Sequence, residues 1–332
     1  MNDYSNKTAL VTGANSGLGF EAAAQLAEAG WGRVILACRT QDKAEAAKVR
    51  LVERTGKDPF SGLAVDTSEV GSANAACDQL QEGNERVDFL LLNAGATSTN
   101  PQFNSDGVEI TWASTLVGHH VMTMRMLGDG LLSHRARIVI AGSEAARGTA
   151  PGMKVHDVEQ VANDSFEGDR VAAIDALAHI KGPFSYSSFD EYSTAKLVVA
   201  WWVAALSRRL PAGMTVNAVS PGSAPATGFA RDAPMWMRVI MLPVMKIIGP
   251  FIGQAGSVES AARRYLDAAD LGDEETGHFY ATADRKKLVG PVSIQTWPQY
   301  FTDEVSQEAA FDAVVKMTGV EFPAELTRHT TA

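Results

Sequence analysis

Short, continuously apolar runs alternate with longer segments of helical periodicity over most of the first 220 residues. These runs are four to eight residues long and bounded by glycine or polar residues, which favours buried strands over helices. Strands are predicted at 8–13, 33–38, 60–65, 87–93, 136–142 and 214–220. Apolar strands separated by helices indicate a parallel sheet covered by helices on both faces. The chain, residues 1–332, is therefore predicted to be one α/β domain with a doubly wound, Rossmann-type sheet.

Three segments interrupt this alternation. Residues 144–189 are polar and irregular, with one helix expected near 168–181, and we interpret them as an insertion; the alternative is a solvated surface excursion. Residues 223–256 carry Met, Pro, Ile and Trp without a strand period, and we interpret them as a substrate flap. Residues 286–332 form a C-terminal extension. Further helices are predicted at 41–55, 105–128, 257–270 and 304–318, and a short strand is predicted near 278–281.

Charge and composition narrow the class of partner. The net charge of −10 argues against nucleic acid, because phosphate backbones require a basic face. The two cysteines and the histidines show no metal-ligand spacing, so no metal site is expected. The start of the chain has no apolar signal region, and we expect a cytoplasmic protein. Charges and prolines break the apolar run at 235–253, so it is a poor membrane span; peripheral membrane contact is the alternative.

The sequence TGANSGLG at 12–19 lies between the first predicted strand and the first helix. Glycines let a backbone approach a diphosphate closely, and the helix start offers free N–H groups and the positive end of its dipole. A tight turn without a ligand is the alternative. We predict a dinucleotide-binding loop formed by Gly13, Asn15, Ser16, Gly17, Leu18 and Gly19.

The end of the second strand bears on the choice of cofactor. A carboxylate here would accept hydrogen bonds from an adenosine ribose and repel a 2′-phosphate. This chain instead has Cys38 followed by Arg39, and a guanidinium pairs well with a phosphate. We therefore expect NADP(H) to be preferred over NAD(H); the alternative is an ordinary surface arginine.

The glycine spacing TGxxxGxG resembles that of the short-chain dehydrogenase/reductase family over about residues 7–285, and ACRTQDKAEAA at 37–47 resembles its retinol-dehydrogenase-like branch. The resemblance implies that Asp66, followed by Thr67, contacts adenine. It also implies cofactor contacts for the NAG motif, Asn93, Ala94 and Gly95, and for Pro221 and Gly222. Thr227 matches the family threonine less closely, because it stands one residue later.

The same resemblance assigns the reacting groups. Ser143, at the end of the fifth predicted strand, would hydrogen-bond the substrate oxygen, and Tyr192 would transfer the proton. Lys196 would bind the nicotinamide ribose and hold the phenol near ionisation. Positions 192 and 196 share a helix face, although YxxxK also occurs by chance in ordinary helices. A cation about 5 Å away would lower the pKa of a phenol, normally about 10, by about 2.

Two features depart from the family pattern. The family sequence NHLGHF, whose asparagine helps bind a water in a proton relay, here reads TLVGHH at 115–120, so Thr115 stands in place of the asparagine. We expect slower proton exchange rather than loss of activity. The 49 residues from Ser143 to Tyr192 exceed the dozen or so of many members, and such inserts shape the pocket and can block the usual assembly.

The leading interpretation is an NADP(H)-dependent alcohol dehydrogenase or carbonyl reductase acting on a lipophilic small molecule. The apolar, methionine-rich flap favours such a substrate, although ordinary core packing would explain the same composition. One alternative is an NADP(H)-binding regulator that senses redox state without turnover. Another is an epimerase or dehydratase. A homo-oligomer is compatible with the sequence.

Overall fold

The computed structural model describes residues 3–149, 153–182, 184–222 and 256–327. Its strands are β1 (Thr8–Thr12), β2 (Arg33–Cys38), β3 (Phe60–Ala64), β4 (Val87–Leu92), β5 (Leu132–Ala141), β6 (Thr215–Val219), β7 (Phe279–Thr282) and β8 (Val292–Ile294). They form one sheet in the order β3-β2-β1-β4-β5-β6-β7-β8. β1 to β7 are parallel, and β8 pairs antiparallel to β7 at the edge. The predicted doubly wound fold is confirmed; β8 was not predicted.

The helices are α1 (Gly17–Glu28), α2 (Gln41–Thr55), α3 (Val70–Glu82), α4 (Gly118–Gly128), α5 (Val158–Ser165), α6 (Arg170–Ala178), α7 (Ser188–Ser207), α8 (Val258–Ala269), α9 (Glu304–Thr318) and α10 (Ala324–Thr327). The bounds of α2 and α9 match the prediction. The helix predicted from 105 starts only at 110, because the Glu109 side chain caps it by accepting from the Thr111 amide.

This helix is also irregular. A turn at Ile110–Trp112 leads into a π-helical turn at Ala113–Val117, and α4 follows. Gly118 packs against the loop between β3 and α3: a Cβ there would lie 2.4 Å from the Thr67 carbonyl oxygen. π-Helical turns are rare and occur often at functional sites.

The two faces of the sheet carry separate cores. Alternate residues along each strand point to opposite faces. Leu10, Leu90 and Ile138 pack under α3, α4 and α7, whereas Val11, Leu91 and Val139 pack under α1, α2 and α8. Both faces of the sheet are therefore buried under helices, as the continuously apolar strands predict.

The described part of the insertion is not a solvated excursion. It begins with a 3₁₀ turn at Glu144–Arg147 and continues into α5 and α6. Ile174 and Leu177 of α6 are fully buried in the core that also holds α9. The helix predicted near 168–181 is confirmed as α6, whereas α5 was missed.

The C-terminal extension covers the outer face of α7. This helix is apolar almost all round, with Trp201 and Trp202 both buried, and such a helix requires packing partners on every side. The Trp201 indole donates to the Tyr300 carbonyl oxygen over 2.6 Å. Glu308 of α9 pairs with Arg208 and Arg209 at the end of α7.

Some predictions fall elsewhere in the chain. Thr227, the membrane-contact segment 235–253 and the flap up to residue 255 lie outside the described residues. Within the described ranges, no helix has the length and apolar character needed to cross a membrane. In the same ranges, no three His, Cys, Asp or Glu side chains are grouped so as to hold a metal ion.

Candidate active site

The glycine loop joins β1 to α1 at the carboxyl edge of the sheet. Gly19 must lack a side chain, because a Cβ there would lie 2.5 Å from the Gly13 carbonyl oxygen. Ser16 precedes α1 and makes no side-chain capping bond, so the amides of the first turn remain available to an anion. These features fit the diphosphate of a dinucleotide.

Arg50, which the sequence analysis did not single out, also supports this loop. It donates to the Asn15 carbonyl oxygen over 2.6 Å and so holds the loop to α2.

The predicted adenosine end is at the tip of β2. Cys38 is buried, and burial raises the pKa of its thiol to about 11. The Arg39 side chain is 59% exposed, and its Nε lies 3.2 Å from Asp66 Oδ2, so the structure brings these two predicted residues together. Thr67 lies differently: it is buried and its hydroxyl donates to the Ser114 carbonyl oxygen, which makes that side chain a packing contact.

The NAG motif is tied to β1 through Thr12. The Asn93 side chain donates to the Thr12 carbonyl oxygen over 3.0 Å. The Thr12 hydroxyl oxygen accepts from the amides of Asn93 and Ala94 over 2.8 and 2.9 Å. Gly95 follows close to Thr115, whose hydroxyl oxygen would lie 3.6 Å from a Cβ at Gly95. The motif therefore crosslinks β1, β4 and the π-helical turn.

His119 completes this crosslink, a role that its position on an apolar helix does not predict. Its Nδ1 lies 2.9 Å from the Thr115 carbonyl oxygen, which can only accept, so Nδ1 carries the proton. Nε2 then accepts from the Thr12 hydroxyl over 3.0 Å. Burial lowers the pKa of His119 to about 3, so it stays neutral and serves as a structural link.

Ser143, Tyr192 and Lys196 come together where β5 and α7 meet. Ser143 starts the 3₁₀ turn, and its hydroxyl oxygen accepts from the Ala145 amide over 3.2 Å. A hydrogen bond joins the side chains of Ser143 and Tyr192. Lys196, one helical turn further along α7, places its Nζ 5.8 Å from the centre of the Tyr192 ring. The predicted catalytic residues therefore share one site.

The pKa of Tyr192 shifts in the direction opposite to the prediction. Burial around the hydroxyl raises the pKa of Tyr192; the hydrogen bond from Ser143 opposes this, and the Glu144 carboxylate adds to it. Burial also lowers the pKa of Lys196 to about 8. The expectation that Lys196 lowers the pKa of the phenol is wrong for this arrangement. The ammonium is directed to the Ala141 carbonyl oxygen at 2.7 Å, and the cost of desolvating a phenolate exceeds the attraction of a cation.

The strand end after β6 contributes Pro221 and Gly222. Gly222 has a φ of +76°, and a Cβ there would lie 2.4 Å from the Leu288 carbonyl oxygen, so only glycine fits this turn. Arg264 of α8 supports the turn by donating to the Ser220 carbonyl oxygen over 3.1 Å. The turn lies at the same edge of the sheet as Ser143, because β5 and β6 are parallel neighbours.

Comparison with known proteins indicates which family the chain belongs to. A sequence profile described as short chain dehydrogenase matches residues 7–156. Short chain dehydrogenase atnD from Emericella nidulans is 30% identical over 291 residues, covering 83% of this chain and 84% of that protein. Retinol dehydrogenase 13 from Homo sapiens is 28% identical over 229 residues, covering 66% and 59%. A short chain dehydrogenase from Burkholderia cenocepacia, crystallised in complex with NADP, shares the fold with a TM-score of 0.58 and 21% identity, covering 84% of this chain and 96% of that one.

The chain belongs to the short-chain dehydrogenase/reductase family of oxidoreductases. Its relatives include members of the retinol-dehydrogenase-like branch, which confirms the resemblance predicted from ACRTQDKAEAA. The chain spans 58 to 59% of the length of three of the curated relatives that it matches.

Proposed function

We propose that this protein is an NADP(H)-dependent dehydrogenase or reductase that interconverts a carbonyl compound and an alcohol of lipophilic character. The observation that carries the proposal is the meeting of Ser143, Tyr192 and Lys196 at the edge of the sheet that bears the glycine loop. The hydroxyl of Ser143, the phenol of Tyr192 and the ammonium of Lys196 together suit proton transfer to a carbonyl oxygen.

The cofactor preference rests on the tip of β2. Arg39 is exposed and would pair with a 2′-phosphate, while the carboxylate that would repel such a phosphate is replaced by buried Cys38. Asp66 already faces Arg39 at 3.2 Å and would compete weakly, since exposed ion pairs contribute little. The NADP in the related Burkholderia structure supports the same preference.

The bound nicotinamide would supply or accept the hydride at the substrate carbon. The side chains of the protein would act on the oxygen bonded to that carbon. The Ser143 oxygen accepts from the Ala145 amide, and its one proton, which is directed to Tyr192 here, would be donated to the substrate oxygen once a substrate binds. The pKa of Tyr192 is raised, so its phenol is protonated at neutral pH as an ordinary tyrosine is, and it would act as general acid in reduction. In the reverse direction the same phenol would receive the proton.

An apolar substrate is supported by an aromatic residue beside the reacting phenol. Phe189 lies one helical turn before Tyr192 on α7 and is 44% exposed. Residues three apart share a helix face, so this ring lies on the same side of α7 as the phenol. The Met- and Ile-rich composition of the flap and the retinol named for one relative favour the same class of substrate.

The test is NADPH oxidation with a panel of hydrophobic aldehydes and ketones. Tyr192→Phe should lose activity by a factor of about 10² to 10⁴ and still bind NADPH. Tyr4→Phe is a matched control, since Tyr4 stacks on Trp31 at the amino end of the fold, and it should keep full activity. NADPH binding without any turnover would favour a redox-sensing regulator. Substrate conversion without net NADPH consumption would favour an epimerase or dehydratase.

A further inference from the structure

We propose that Glu144 is a positioning residue of this site, whose carboxylate fixes the Ser143 turn and places a negative charge near the Tyr192 phenol. The proposal rests on the function proposed above. A glutamate beside the reacting serine would ordinarily be expected to be solvated. Here its side chain is only 7% exposed.

The contacts of Glu144 join three strand ends. One carboxylate oxygen, Oε2, accepts from the Ser220 hydroxyl, which follows β6. The other, Oε1, accepts from the hydroxyl and the amide of Thr282 over 3.0 and 3.2 Å, and Thr282 ends β7. Since Ser143 directly precedes Glu144, these bonds set the position from which the serine hydroxyl reaches Tyr192.

Two arginines, one buried and one partly buried, compensate the charge. Arg264 comes from α8 with its Nη1 3.6 Å from Glu144 Oε1, and it also donates to the Gly290 carbonyl oxygen over 3.0 Å. Arg147 lies in the same 3₁₀ turn and donates to Gln295 Oε1 over 2.8 Å and to the Thr282 carbonyl oxygen. A buried carboxylate is stable only with such partners, and removing one of them is costly.

The phenol responds to this charge. Ionisable groups that act on Tyr192 or Glu144 from the described part of the chain include Lys196 of α7, Arg147 of the turn, and Arg264 and Tyr265 of α8. Burial is the largest influence on the pKa of Tyr192, and the nearby carboxylate raises it further, because two like charges disfavour one another. Glu144 therefore opposes ionisation of the phenol.

Glu144→Gln separates this role from a merely structural one. It keeps the shape of the side chain and removes the charge. We expect the alkaline limb of the pH profile of kcat/KM, and the onset of Tyr192 phenolate absorbance, to move to lower pH. The phenolate signal is taken as the difference from a Tyr192→Phe background, so it is read without any substrate.

Three further variants keep the result interpretable. Glu144→Asp retains the charge and should leave the onset in place while lowering Tm. Glu109→Gln makes the same chemical change at another buried glutamate, which caps a helix, and should not move the onset. Arg264→Gln removes the compensating cation and should move the onset upward, which tests the proposal even where Glu144→Gln does not fold.

An onset in Glu144→Gln equal to that of the parent, or a downward move in Arg264→Gln, would overturn the proposal. Failure of the proposed function would look different. In that case no carbonyl compound would be turned over by the parent protein, while the absorbance titration would still report whether Glu144 acts on Tyr192.

Discussion

Lys196 Nζ donates a hydrogen bond of 2.7 Å to the carbonyl oxygen of Ala141, two residues before Ser143. The lysine therefore anchors α7 to the end of β5, and its ammonium is taken from water to do so. Burial lowers the pKa of Lys196 from 10.5 to about 8. The candidate active site thus includes a buried ammonium that destabilises the fold.

Replacing Lys196 by methionine should stabilise the protein and abolish turnover. The lowered pKa corresponds to roughly 3 kcal/mol at neutral pH, and the lost hydrogen bond offsets about 1 kcal/mol. We expect the free energy of unfolding to rise by about 2 kcal/mol, as is common when active-site strain is removed. Denaturant titration at pH 7 measures it.

The stability gained in Lys196→Met should depend on pH. The folded-state pKa of Lys196 lies below its ordinary value, so the unfolded chain binds the proton more tightly. The destabilisation is complete below pH 8 and disappears as the pH rises towards 10.5. The gain in Lys196→Met should therefore shrink between pH 8 and pH 10. A variant less stable than the parent at pH 7 would contradict this account.

Arg39→Ala should separate the two nicotinamide cofactors. Loss of a charge-assisted bond to a 2′-phosphate should weaken NADPH binding by about 10- to 100-fold and leave NADH binding within about 2-fold. Fluorescence titration with both cofactors measures the ratio. Arg263→Ala, at an exposed arginine of α8 paired with Asp267, is the matched control. Equal losses for NADPH and NADH would contradict a role in phosphate recognition.

His120→Gln should flatten the acid limb of the stability profile. His120 bonds Val320 and Trp202 through its two nitrogens, and burial lowers its pKa to about 4. Between pH 6.5 and 4 this histidine is protonated in the unfolded chain but not in the folded chain. The free energy of unfolding therefore decreases by about 1.4 kcal/mol for each unit by which the pH is lowered.

The measurement is urea denaturation at several pH values from 4 to 7. The variant starts from a lower free energy of unfolding at pH 7, because two buried hydrogen bonds change, but should lose less of it on acidification. The exposed His134 provides the control, and His134→Gln should keep the parent slope. Identical slopes for parent and His120→Gln would refute the assignment.

Phe311→Ala should destabilise the protein by about 3–4 kcal/mol. The Phe311 ring is buried between α9 and α7, with the Arg209 guanidinium 4.2 Å from its centre and the His120 ring 5.5 Å away. Val305→Ala on the same helix removes an apolar side chain that is 64% exposed, and should change stability by less than about 0.5 kcal/mol. Thermal unfolding of both variants compares them. Similar shifts in Tm would show that α9 does not stabilise α7.

The features that were predictable from sequence are those that follow local patterns. The buried strands and α2 have clear periodicity, and the glycine loop and YSTAK stand beside predicted elements that fix their place at the sheet edge. The π-helical turn at Ala113–Val117 has no such signature, because packing around Thr67 and Gly95 rather than local propensity decides it.

Glu144 was missed for a different reason. A glutamate that will be buried looks the same in a sequence as one that will be solvated, and its partners Ser220 and Thr282 are more than 70 residues away. The pKa of Tyr192 was predicted in the wrong direction because only the charge of Lys196 was visible in the sequence. The desolvation that outweighs it arises from the three-dimensional packing.

The covering of α7 by α9 has a consequence for synthesis. About 100 residues separate the two helices, and ribosomes add roughly 5–20 residues per second, so the outer face of α7 leaves the ribosome some 5–20 seconds before its cover exists. During that interval Trp201 and its neighbours form an apolar surface that another nascent chain, or a chaperone, can bind. The yield of folded protein should therefore depend on translation speed and chaperone supply more than its final stability would suggest.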